Sequence, residues 1–198
     1  LRITGIWGDH LVTTLEARTD VGGLRDGEFD LILVAVKAYD TRCAVEALRG
    51  AVGPDTLVCS YQNGLGNAEI IAESFGWERT VGARVIYGAW IPEPGQAEVR
   101  VIADPTALGV FHPSAPAERV RAIAQAMDDA GLPTVYTEKT TTVLWGKVAY
   151  NCSLNPLSAL LDVTYGGLLD TEDTREILRE VVREIYAVAR AENVPLEP

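Results

Sequence analysis

Apolar and polar positions change their rhythm along this chain, and the change divides it in two. Leu1 to Thr4 and Leu11 to Leu15 alternate apolar and polar around Trp7-Gly8-Asp9-His10, which predicts a hairpin. Phe29-Asp30-Leu31-Ile32-Leu33-Val34-Ala35-Val36 is instead a nearly continuous apolar run, the pattern of a strand covered on both faces in a parallel sheet. A helix is expected from about Asp40 to Arg49, and a second buried strand from Thr56 to Tyr61 after Pro54 and Asp55. Gly64-Leu65-Gly66-Asn67 leads into a helix over Ala68 to Phe75, with Asn67 as its N-cap. Strand, helix, strand, helix is the order of an α/β unit. Val81 to Tyr87 and Ala97 to Ile102 read as further strands around Pro92-Glu93-Pro94-Gly95. Glu118 to Ala130 reads as a helix stopped by Gly131 and Pro133, and Thr134 to Tyr136 as a short closing strand.

After Glu138 only helical spacing remains. One helix is expected from Thr140 to about Leu161, and another from Glu172 to about Glu192 with Ile177, Leu178, Val181, Val182, Ile185, Tyr186 and Ala189 on one face. The domain boundary falls near residue 139. Residues 1–138 form a partial Rossmann-type, doubly wound α/β domain, and residues 139–198 begin an all-helical domain. Nothing after Asn193-Val194-Pro195 would cover the apolar face of the last helix. Further helices, or a second copy of the chain in a homodimer, are expected to cover it.

Composition narrows the classes of function. The chain has 198 residues, 47% of them hydrophobic, which is enough for a buried core. Its formal net charge of −11 argues against nucleic acid or an anionic membrane as partner, because both recruit basic surfaces. No apolar run approaches the roughly 20 residues of a membrane span, and no charged-then-apolar leader opens the chain, so a cytosolic protein is expected. Cys43, Cys59 and Cys152 lack metal-ligand spacing; they are expected to be buried small hydrophobes in a reducing compartment, and no metal site is expected.

Candidate chemistry gathers at two places. Open α/β sheets bind ligands beyond the carboxyl ends of their strands. There the first buried strand ends in Val36-Lys37-Ala38 and the second in Tyr61-Gln62-Asn63-Gly64-Leu65-Gly66, which offer an ammonium group and an amide. A solvated lysine and an ordinary Asn-Gly turn would look the same. The second place is Trp145 to Leu161, WGKVAYNCSLNPLSALL, an apolar helix interrupted by Lys147, Asn151 and Asn155. Each step of four residues turns about 40° past a full turn, so the three share a stripe about 80° wide. Such a stripe either faces solvent or is turned toward a ligand held by the α/β part. For Asn155 a further alternative is that it caps a helix restarted at Pro156.

Taken together, Val-Lys-Ala after one strand, Gln-Asn-Gly-Leu-Gly after the next and Leu-Trp-Gly-Lys-Val-Ala-Tyr-Asn-Cys-Ser-Leu-Asn-Pro-Leu resemble the ketopantoate reductase (2-dehydropantoate 2-reductase) family. The resemblance implies NADPH-dependent reduction of a small 2-keto acid, 2-dehydropantoate or a close relative. It implies Lys147 as the proton donor, Asn63, Asn151 and Asn155 as substrate-binding residues, and Lys37, Asn63 and Ala89 as contacts to NADP. Family members begin with a strand and a Gly-x-Gly-x-x-Gly loop, and carry an active-site serine and acidic residue on later helices. Neither the loop nor those helices lie between Leu1 and Pro198. Where some members have one more asparagine, this chain has Thr164-Tyr165-Gly166-Gly167-Leu168. Two other readings remain: a relative of the β-hydroxyacid dehydrogenases, and a non-catalytic binding module that keeps the fold.

Overall fold

The computed structural model describes residues 1–25 and 27–196. The chain falls into two compact units, Leu1–Asn63 with Asn67–Glu138, and Gly64–Gly66 with Lys139–Pro198. Glu197 and Pro198, the end of the expected helical domain, lie outside the described residues.

The first unit is built on a mixed sheet. Its strands are β1 (Arg2–Gly5), β2 (His10–Leu11), β3 (Leu31–Val34), β4 (Leu57–Ser60), β5 (Thr80–Trp90), β6 (Gln96–Val110) and β7 (Thr134–Thr137). The order across the sheet is β2-β1-β6-β5-β4-β3, with β7 paired to β6. β3, β4 and β5 run parallel, while β5 and β6 form a long antiparallel hairpin whose tip turns at Gly95, at a φ of +84°. The helices are α1 (Thr41–Ala47), α2 (Asn67–Phe75) and α3 (Ala117–Asp129).

Alternation along β4 explains why helices lie on both faces. Val58 packs with Val34, Val45, Leu48, Ile71 and Phe75, the side of α1 and α2. Its neighbours Leu57 and Cys59 point the other way, into a cluster with Val81, Leu108, Val120 and Ala124 on α3. A strand with both faces buried must read as an unbroken apolar run, and β4 does. β3 also meets both clusters, with Ile32 and Val34 on the side of α1 and α2 and Leu31 on the side of α3, while Leu33 is 43% exposed.

Other expectations need adjustment. β6 runs on to Val110, beyond the expected end at Ile102. Asp104 and Pro105 break the apolar pattern but sit at register shifts against β5, where a bulge tolerates a proline that cannot donate to the ladder. The hairpin at the start is present but short, with Arg2 opposite Leu11 and Ile3 opposite His10. Of the cysteines only Cys59 is buried, which pushes its thiol pKa well up; Cys43 and Cys152 are exposed.

The second unit holds α4 (Thr140–Leu161) and α5 (Glu172–Ala191). Asp162, at a left-handed φ of 53°, ends α4, and Thr171 caps α5 by accepting a bond from the Thr174 amide. Ala189 is buried, but Ile177 on the expected apolar face is 47% exposed, and Leu160 on α4 is 82% exposed. No helix among the described residues is long and apolar enough to cross a membrane.

Candidate functional site

The carboxyl edge of the parallel strands is level. Val34, the last residue of β3, pairs with Ser60, the last of β4, and the Tyr61 amide donates to the Val34 carbonyl at 2.9 Å. Lys37 and Asn63 are each the third residue past that matched pair, so they leave the sheet in equivalent places. Both side chains belong to exposed residues. Lys37 precedes a single 3-10 turn, Ala38–Asp40, that feeds α1. Asn63 precedes Gly64 and Gly66, at φ of +93° and +87°. A Cβ at either glycine would meet nothing within 4 Å, so backbone conformation, not crowding, calls for glycine there.

Successive residues after β4 are fastened to opposite faces. The Tyr61 hydroxyl lies 3.3 Å from that of Thr106, and partial burial pushes the Tyr61 pKa up to about 12, so it stays protonated and able to donate. Gln62 turns to the other side and is buried, with Nε2 donating to the Val36 carbonyl at 2.9 Å and to Thr41 Oγ1 at 2.8 Å. Asn63, the next residue, is exposed. Asn67, expected as an N-cap, is instead the first residue of α2 and is buried; its Nδ2 donates to the Asn63 carbonyl at 3.1 Å and its Oδ1 accepts from Thr41 at 3.0 Å. The sequence reading missed Thr41, Gln62 and Asn67. Their types signal that polar side chains where an apolar strand meets a helix have to find buried partners, but not which partners those are.

Ala89 lies in the far half of β5, opposite Val99, seven residues beyond Gly82, which is level with the end of β4. It is exposed, as is Trp90 next to it.

On α4 the stripe is present as spaced. Lys147 and Asn151 are half-buried and Asn155 is exposed. At 1.5 Å per residue the three span about 12 Å of helix axis. Pro156 lies inside the helix and does not restart it, so Asn155 is not an N-cap. It costs the Cys152 carbonyl a donor. Asn155 is held from the side, because the Tyr165 hydroxyl donates to its Oδ1 and the Tyr165 ring stands edge-on to Tyr150, 6.1 Å between centroids. With that oxygen engaged, Asn155 has its Nδ2 protons to offer. Among their apolar neighbours, Val143, Leu144, Val148 and Leu157 are partly buried.

Residues 1–113 match the family described as "Ketopantoate reductase PanE/ApbA", and residues 139–198 match its C-terminal part. The chain belongs to the ketopantoate reductase family. It is 32% identical over 197 residues to the 2-dehydropantoate 2-reductase of Aquifex aeolicus (strain VF5), covering 98% of this chain and 62% of that protein. It is 33% identical over 194 residues to the enzyme of the same name from Halobacterium salinarum, with the same coverages. The crystal structure of 2-dehydropantoate 2-reductase from Geobacter metallireducens superimposes with a TM-score of 0.88 at 28% identity, covering 98% of this chain and 64% of that one. The chain thus spans a little under two thirds of the length of the ketopantoate reductases it matches.

Proposed function

We propose that the full-length protein reduces 2-dehydropantoate, or a closely related 2-keto acid, to the 2-hydroxy acid with NADPH. What carries this reading is the unbroken helix α4, on which a lysine and two asparagines keep one track in a chain of the ketopantoate reductase family.

The carboxyl edge of β3 and β4 fits the polar part of a nicotinamide dinucleotide. It offers an exposed ammonium at Lys37, an exposed amide at Asn63 and an open glycine turn that backbone or ligand can approach. The phosphorylated form of the cofactor is part of the family reading. A reduced nicotinamide supplies a hydride. Lys37, Asn63 and the backbone of Ala89 would hold it. Hydride addition turns a ketone oxygen into an alkoxide, and the Lys147 ammonium donates its proton there, stabilising charge most where it develops. Asn151 and the Nδ2 of Asn155 would donate to the remaining oxygens of the substrate, and the family reading assigns Asn63 to substrate as well as cofactor. The Tyr165 hydroxyl fixes which end of the Asn155 amide is presented.

The test is turnover by the full-length protein. The expected result is NADPH oxidation with 2-dehydropantoate and no reduction of NADP when 3-hydroxyisobutyrate is supplied. Oxidation of 3-hydroxyisobutyrate without ketopantoate reduction would make it a β-hydroxyacid dehydrogenase. No NADPH binding by calorimetry would make it a binding module.

A further inference from the structure

The two loops at the sheet edge must hold their ligand-facing groups to a fraction of an ångström, yet loops are ordinarily the least fixed part of a fold. Here one buried polar cluster holds both. Thr41 is 0% exposed, Asn67 3% and Gln62 7%. Gln62 donates both amide protons, to the Val36 carbonyl and to Thr41 Oγ1, and its Oε1 lies 3.4 Å from the Ser60 hydroxyl. The Thr41 hydroxyl has one proton for two acceptors, the Ala38 carbonyl at 2.8 Å and Asn67 Oδ1 at 3.0 Å. Asn67 Nδ2 closes the chain on the Asn63 carbonyl at 3.1 Å. Turning the Asn67 amide over would set its oxygen against that carbonyl, so the orientation is fixed by the network.

The acceptors are the informative part. Val36 and Ala38 flank Lys37, and the third main-chain carbonyl is that of Asn63 itself. Three side chains hold the backbone on both sides of one candidate ligand residue and at the other, while both of those side chains stay exposed. We infer that Thr41, Gln62 and Asn67 are positioning residues: a clamp, with the Thr41 hydroxyl at its centre, that sets Lys37 and Asn63 in register with each other for the ligand. This rests on the proposed function, since it is that reading which gives Lys37 and Asn63 a common ligand.

The probe is Thr41→Val in the full-length protein, which keeps the side-chain shape and removes the hydroxyl, with Thr41→Ser as the conservative partner. Hydrogen exchange is expected to rise at least about tenfold in residues 36–40 and 62–68 and to stay unchanged in residues 117–137, because the lost bonds are local. The Kd for NADPH is expected to rise about tenfold in the same variant and to return to within twofold of wild type in Thr41→Ser. If Thr41→Val does not fold, Gln62→Met serves, with the same readouts expected. Faster exchange with unchanged NADPH affinity would overturn the inference, leaving the cluster a purely structural one. Unchanged exchange in both loops would overturn it as well. Absence of 2-dehydropantoate turnover in the wild type strikes the proposed function alone, because loop exchange reads the clamp without substrate or cofactor.

Discussion

The two units hold their candidate site residues by opposite means. In the α/β unit Lys37 and Asn63 stand on loops, and buried neighbours that never reach the surface fix the backbone beneath them. In the helical unit Lys147, Asn151 and Asn155 are spaced by the helix itself, and Tyr165 supports Asn155 at the exposed end, beside Pro156. Precision in the first case is spread over residues with no ligand to touch. In the second the spacing resides in the backbone of α4.

That contrast can be broken or sharpened by substitution in the full-length protein. The largest effect is expected at the lysine: Lys147→Ala should lower kcat by about 10²- to 10⁴-fold, the usual worth of a positioned general acid, while the Kd for NADPH stays within twofold. A parallel loss of NADPH binding would show that α4 is not independent of the loop site. Asn151→Ala should come next, raising KM for 2-dehydropantoate about 10- to 100-fold, the range for a hydrogen bond to a charged acceptor, with kcat retained. A fall in kcat with KM unchanged would place that contact in the transition state instead. The smallest effect belongs to Tyr165→Phe, which frees Asn155 Oδ1. KM should rise about 2- to 10-fold, in line with one neutral hydrogen bond, and an unchanged KM would mean that Asn155 needs no support.

Much of the architecture could be read from periodicity, and the failures have local causes. α4 spans the expected Thr140 to Leu161, and α5 ends at Ala191, one residue before the expected Glu192, because a long helix with clear stop signals leaves little choice. β4 was legible because both its faces are buried. β3 was legible for the same reason, since Ile32 and Val34 pack on one side of it and Leu31 on the other. The second half of β6 was hidden by Asp104 and Pro105, which look like a break until the bulged partner strand is known. Lys37, Asn63, Lys147, Asn151 and Asn155 stood out by type and spacing, but their expected roles, and Ala89 altogether, came from the family resemblance. The clamp beneath Lys37 and Asn63 could not be read this way, since it joins Thr41 to Gln62 and Asn67 across 21 and 26 residues of sequence, and only the pairing of β3 with β4 brings those positions together.

The central claim is that Lys147 acts on the reacting oxygen whereas Asn151 acts on binding. Rapid mixing of the NADPH-loaded protein with saturating 2-dehydropantoate, following a single turnover, separates the two. Asn151→Ala should approach the wild-type rate at saturation, while Lys147→Ala should remain at least about a hundredfold slower. A Lys147→Ala rate within tenfold of wild type at saturating substrate would contradict the account.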